Sequence, residues 1–140
     1  MKIVLDVSAA VKWFVREEES GEMEELLGKF LSGEVELHSP KLLLVELANV
    51  LRYAKGLTAE DVARAVEAVR AIRVNLVDDL QVLGEAIKLA FQSDVTVYDA
   101  LYVSLAQRLS GRLVTYDGEL LRKFDGLAET ASELLRSSRG

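Results

Sequence analysis

Four short runs of mostly branched apolar residues punctuate the chain: KIVLD at 2–6, VELH at 35–38, VNLV at 74–77 and RLVT at 112–115. Long stretches with helical periodicity separate them. Short apolar runs bounded by charged or turn residues read as buried strands. Strands that alternate with helices are joined by crossovers, and crossovers build a parallel sheet. The expected class is α/β with a mainly parallel sheet.

Caps and breakers set the helix boundaries. Ser8 reads as the N-cap of a helix through AAVKWFV. Residues 20–31 form a second helix, with acids early and Gly33 after it. Ser39-Pro40 reads as a cap followed by proline at the first helical position, opening a helix to Ala54 that stops at Gly56. Thr58-x-x-Asp61 resembles a capping box and opens a helix to Arg73. Asp79 starts a helix to Gln92, and Thr96 starts one that ends at Gly111. A short helix follows from Gly118. The tail, 130–137, is helical, with a short strand before it.

At 140 residues the chain is expected to be one domain, 1–140, with a real core. Half of it is hydrophobic, which excludes a disordered chain. No apolar run approaches the roughly 20 residues that span a bilayer. In MKIVLDVSAAVKWF, Asp6 interrupts the apolar stretch and Lys12 falls where a cleavage region would be, so no signal peptide is read there. The expected location is cytoplasmic. There are no cysteines, which excludes disulfides, thiolate zinc sites and a cysteine nucleophile. The single histidine, His38, excludes a histidine-rich metal site. No Gly-x-Ser-x-Gly elbow exists. The net charge of −6 argues against a protein that simply coats DNA.

Within SPKLLLVELANVL (39–51) stands one carboxylate, Glu46. At about 100° per residue, Lys41, Arg52 and Lys55 cluster as a solvent stripe, and Glu46 lies roughly 150° away, on the apolar side. A lone buried carboxylate is costly unless neutralised, paired or bound to metal. In VYDALYVSLAQRL (97–109), Ser104, Gln107 and Arg108 mark the polar side, and Asp99 lies roughly 130° from it. Asp99 also fits a capping box with Thr96, and the two readings are compatible. Asp6 ends the first strand and Asp117 follows the fourth. Each fits a turn or cap, but open α/β sheets place ligands at the carboxyl ends of their strands. Four carboxylates in one cleft repel, so some stay protonated or a cation enters. Oxygen ligands without histidine or cysteine select Mg²⁺ or Mn²⁺. Such a site suits phosphodiester hydrolysis.

In this order the contexts resemble those of the PIN-domain endoribonucleases, in particular the VapC-type toxins. The matching stretches are VLDVSAAVKWF, PKLLLVELANVL, TVYDALYVSLA and LVTYD, and together they cover nearly the whole chain. The resemblance implies a three-layer sandwich of helices around a twisted parallel sheet. It implies Asp6, Glu46, Asp99 and Asp117 as metal-binding and catalytic acids, with Ser8 and Thr115 as supporting hydroxyls. Val7 and Tyr116 stand where smaller residues are common, which bears on groove width. Glu119 and Asp94 read as an exposed helix face and a loop. The implied activity is metal-assisted hydrolysis of single-stranded RNA, leaving 5′-phosphate and 3′-hydroxyl ends. Asp6 and Asp99 would be the principal ligands, with Glu46 and Asp117 completing the shell. Lys12, Arg16, Arg52 and Lys55 are candidate guides for phosphates. The resemblance also implies a homodimer and a small antitoxin that lays a helix in an apolar groove, for which Trp13, Phe14, Met23 and Leu26 are candidates.

The alternative is a non-catalytic module of the same fold that binds RNA or protein, which would not need four inward acids. A phospho-accepting signalling domain would want paired acids after the first strand, and here Val7 and Ser8 follow Asp6.

Overall fold

The computed structural model describes residues 1–139. Its strands are β1 (Lys2–Leu5), β2 (Glu36–Pro40), β3 (Asn75–Val77), β4 (Arg112–Val114) and β5 (Ala128–Glu129). They form one sheet in the order β3-β2-β1-β4-β5, and every pairing is parallel. The helices are α1 (Val7–Ala10), α2 (Ser20–Leu31), α3 (Leu42–Arg52) and α4 (Ala59–Ala71), then α5 (Leu83–Ser93), α6 (Val97–Arg108), α7 (Gly118–Lys123) and α8 (Ala131–Arg139). The α/β expectation holds. No described helix is long and apolar enough to cross a membrane.

Strand order reverses once. The chain builds outward from β1 to β2 and β3, then crosses to the other side of β1 for β4 and β5. The reversal falls between β1 and β4, and the carboxyl ends of strands at such a reversal are where open α/β sheets place ligands. The floor is solid: Ile3, Val4, Leu5, Leu37, Leu113 and Val114 are fully buried. Across the sheet lies α6, packed against β1, β2, β4 and α5. Residues 100–106 of α6 are all buried, which an apolar-all-round sequence such as ALYVSLA permits. Ser104 is thus not on a polar face; it is buried, and its hydroxyl has no partner among the described residues.

Several boundaries differ from the sequence reading, each for a local reason. The N-cap of α1 is Asp6, not Ser8, because the Asp6 carboxylate accepts from Ala9 N. The helix then gives way after one turn to a 3-10 turn, Val11–Trp13. Ser39 and Pro40 end β2 rather than starting α3. Ser39 turns its hydroxyl to the Leu5 carbonyl (2.8 Å), and α3 has no cap of its own. Asp79 caps α3 from elsewhere in the chain, accepting from Leu42 N at 3.0 Å. It sits in a 3-10 turn, Asp79–Gln81, ahead of α5. The Thr58–Asp61 capping box forms as expected.

Gly111 lets β4 reach β1. A Cβ there would lie 2.4 Å from the Lys2 carbonyl oxygen, which is backbone and cannot rotate away. Gly28, exposed in the last turn of α2, has nothing within 4 Å of that position. The same substitution should therefore have opposite signs. Gly111→Ala is expected to lower unfolding free energy by about 1–3 kcal/mol. Gly28→Ala should raise it by about 0.5–1 kcal/mol. Denaturant unfolding of both variants checks this.

Candidate active site

Asp6 leads straight from β1 into α1, at the point where strand order reverses. It is 6 % exposed, and its backbone N–H reaches Val114 O across the switch point. Its Oδ1 accepts from Ala9 N (3.2 Å) and from Ser8 Oγ (2.6 Å), and its Oδ2 accepts from Thr115 Oγ1 (2.5 Å). Both hydroxyls are themselves held. Ser8 Oγ accepts from Tyr116 N (2.8 Å), and Thr115 Oγ1 accepts from Asp117 N (3.1 Å). A hydroxyl has one hydrogen to give, and each of these gives it to Asp6. Ser8 and Thr115, the two expected supporting hydroxyls, thus both bond the Asp6 carboxylate.

Even so, burial dominates. It pushes the Asp6 carboxyl up to about 6; the bonds from Ser8, Thr115 and Ala9 pull back, and the Asp99 charge adds to the rise. Asp99 is half-buried in the first turn of α6. The N-cap of that helix is Thr96, which accepts from Asp99 N (3.0 Å). Burial raises the Asp99 carboxyl, the Asp117 and Glu119 charges raise it further, and the Thr96 hydroxyl opposes them. Glu46 is half-buried on α3. Burial is also the first cause of its raised pKa; its bond from Tyr102 opposes, and the Asp99 and Asp79 charges add. Asp117 is the N-cap of α7, its Oδ1 accepting from Glu119 N (2.9 Å) and Leu120 N (3.1 Å).

The four acids therefore sense one another, with Asp99 the common member: it acts on Asp6 and Glu46 and is acted on by Asp117. Among the described residues none of the four is in an ion pair. By contrast, Glu119 is exposed and neutralised by Lys123 (2.7 Å). The carboxylates are near enough to feel one another's charge without forming a cage: among the described residues, no three acids or histidines are grouped to hold a metal ion. What fits a divalent cation is the chemistry of the donors. They are oxygen-only and anionic, half-buried or deeper, and no Lys or Arg neutralises them.

Two contributors escaped the sequence reading. Tyr102, 1 % exposed, donates its hydroxyl to Glu46 Oε1 at 2.5 Å. It lies one turn beyond Asp99, and a tyrosine inside an apolar helix needs a partner for its hydroxyl, which was the available signal. Asp79 follows the end of β3, the same kind of position as Asp6 and Asp117. Two other expectations change, those for Lys12 and for Met23 and Leu26, and Tyr116 has a structural place of its own. Lys12 is buried, bonded to Glu17 (3.1 Å) and Glu18 O (2.8 Å) and stacked over the Tyr116 ring, so it is no free phosphate guide. Tyr116 donates its hydroxyl to Glu19 (2.8 Å) and accepts from Ala131 N, which fixes it against the start of α8. Met23 and Leu26 are fully buried core residues, and Leu26 also borders a cavity with Met1, Val35 and Leu134.

The Asp6 shift has a stability consequence. A carboxyl with a folded pKa of about 6 and an ordinary value of 3.8 binds its proton more tightly when folded. Its contribution is complete below pH 4 and is lost as pH rises through 6. With chelator present, wild-type stability is expected to fall relative to Asp6→Asn by roughly 2–3 kcal/mol between pH 4 and 7. Parallel pH dependences in urea unfolding would contradict the assigned burial cost.

Comparison with known proteins places this geometry. The PIN domain family model matches residues 3–127. Ribonuclease VapC3 of Pyrobaculum aerophilum is 39 % identical over 134 residues, covering 91 % of this chain and 98 % of the relative. The crystal structure of PAE2754 from Pyrobaculum aerophilum superposes with a TM-score of 0.74 at 22 % identity, covering 100 % of this chain and 91 % of that one. VapC20 of Mycobacterium tuberculosis, described as a sarcin-ricin loop cleaving toxin, superposes with a TM-score of 0.66 at 16 % identity, covering 83 % of this chain and 90 % of that one. The two structures share the fold. With the family model spanning most of its length and a relative this similar end to end, the chain belongs to the PIN-domain family, among its VapC members.

Proposed function

We propose that this protein is a Mg²⁺- or Mn²⁺-dependent endoribonuclease that cuts single-stranded RNA, acting as the toxin of a toxin–antitoxin pair. The observation that carries the reading is the set of Asp6, Glu46, Asp99 and Asp117 around the sheet's switch point, mutually repelling and, among the described residues, in no ion pair. The 39 % identity to a protein named as a ribonuclease supports the same chemistry.

Asp6 and Asp99 are the principal ligands in this reading. Asp6 has about four lone-pair sites, and three are taken by Ser8, Thr115 and Ala9. Capacity for a cation remains on Oδ2. Glu46 has Oε2 free of protein partners among the described residues, and Asp117 likewise has Oδ2. Both can complete the shell directly or through water, and either can accept the attacking water's proton. Bound there, the cation would lower the pKa of the water that attacks phosphorus and stabilise the 3′-oxygen that leaves, giving 5′-phosphate and 3′-hydroxyl ends. Tyr102 holds Glu46 in place for this work, and Ser8 and Thr115 do the same for Asp6. A cation held by these acids would also offset the chain's own charge of −6 where the phosphate approaches. Exposed Ile87 and Phe91, one turn apart on α5, offer an apolar surface for a second copy or the antitoxin.

The test is cleavage of labelled single-stranded RNAs by protein freed of antitoxin, with Mg²⁺, with Mn²⁺ and with chelator. Cutting is expected only with metal. Asp99→Asn should slow it at least about a hundredfold, and Tyr102→Phe about tenfold. RNA bound but left intact by folded, metal-replete protein would favour the non-catalytic module.

A further inference from the structure

Helix α3 has a face that neither the core nor the charged stripe explains. Leu43, Leu47 and Leu51 are fully buried, and Lys41 and Arg52 face solvent. Beside Glu46, however, Val45 is 68 % and Val50 41 % exposed. A helix gains nothing in water from two such valines, so the strip calls for an occupant. Across from it stands Tyr98, 61 % exposed, in the first turn of α6 and next in sequence to Asp99. Val7, Val45, Glu46, Asn49, Val50 and Tyr98 line one cavity of about 320 Å³.

Four properties of the cavity define what it takes. It shares Glu46 with the acid site, so it is continuous with the place where phosphorus would sit. No Lys or Arg lines it and one carboxylate does, so it repels phosphate. Its walls are one aromatic ring and aliphatic side chains. Finally, the Asn49 amide and the Tyr98 hydroxyl have no hydrogen-bond partner among the described residues, leaving donors and acceptors for a polar edge. Its size is at the lower end of small-ligand pockets, about 300–1,000 Å³. An uncharged planar ring with a polar rim, attached to a phosphate one step away, meets all four conditions. Unpaired bases are read in this way, by stacking on aromatic rings and by bonds to their edges.

We infer that this slot holds one unpaired nucleobase of the substrate, next to the scissile phosphate, with Tyr98 as its stacking platform. The inference rests on the nuclease reading above. It makes Tyr98, Val45 and Asn49 determinants of where the RNA is cut.

The experiment uses a short single-stranded RNA with one mapped cleavage position, and two copies of it, each with an abasic residue on one side of that position. Wild type, Tyr98→Ala and Tyr98→Phe are compared for KM and kcat, with light scattering for mass and thermal melting for fold. Removing one of the two flanking bases is expected to raise the wild-type KM about tenfold or more. Tyr98→Ala should show the same rise on intact RNA and no further loss on that abasic RNA, while Tyr98→Phe, which keeps the stacking ring and loses only the hydroxyl, should fall between wild type and Tyr98→Ala. If wild type cuts and Tyr98→Ala cuts equally well, or if the two losses simply add, the slot is overturned and the nuclease stands. If wild type neither binds nor cuts RNA, both fall. A Tyr98→Ala loss that comes with a halved mass would assign the strip to a second copy and overturn the base slot.

Discussion

A carboxylate buried at the centre of the sheet is the constraint that organises this molecule. Asp6 sits where β1 and β4 part, in an ion pair with no lysine or arginine among the described residues. Water is mostly excluded from it. The fold answers with two hydroxyls, each oriented by a backbone N–H from the loop after β4. The loop thereby becomes part of the site, because the N–H groups of Tyr116 and Asp117 hold what holds Asp6. These bonds reduce the cost of burial without cancelling it, and the carboxyl still titrates well above its ordinary range. A protein selected for stability alone would have little reason to keep an acid there. A protein that needs an anionic, rigid, half-dry ligand would.

The remaining acids are placed by elements that depend on that centre. Helix α6 is buried along most of its length, so its first turn is fixed, and Asp99 with it. Tyr102, one turn later, reaches Glu46 on α3 and ties the two helices together. Helix α3 in turn has its start fastened by Asp79 from the end of β3. Three strand ends, β1, β3 and β4, thus each lend an aspartate to one region, in two different capacities. Asp6 and Asp117 face the candidate site, and Asp79 anchors the helix that carries its glutamate.

The architecture was legible because apolar runs and caps are local signals. KIVL, NLV and RLV became strands, and Thr58 and Thr96 began helices where the sequence says they should. The four acids were legible as candidates because each breaks its local pattern: a carboxylate in an apolar helix, or one at a strand end. What failed was decided by tertiary partners. Ser39-Pro40 has the form of a helix cap, but pairing with β3 and a bond to Leu5 O hold it in β2. The wheel for α3 put Glu46 on an apolar side correctly, yet part of that side faces solvent, as Val45 and Val50 show. Lys12 looked like a surface charge until the 17–18 turn and Tyr116 enclosed it. Periodicity reports that a face is apolar. It does not report what covers it.

The central claim is that the four acids act as one cation site with Asp99 in common. Calorimetric titration of Mn²⁺ into wild type and Asp99→Asn at pH 6, in buffers of different ionisation enthalpy, tests it without any substrate. The account expects saturable binding with release of protons, since carboxyls with raised pKa values must ionise to coordinate, and loss of that binding in the variant. No saturable binding to wild type, or binding of equal strength in Asp99→Asn, would contradict it.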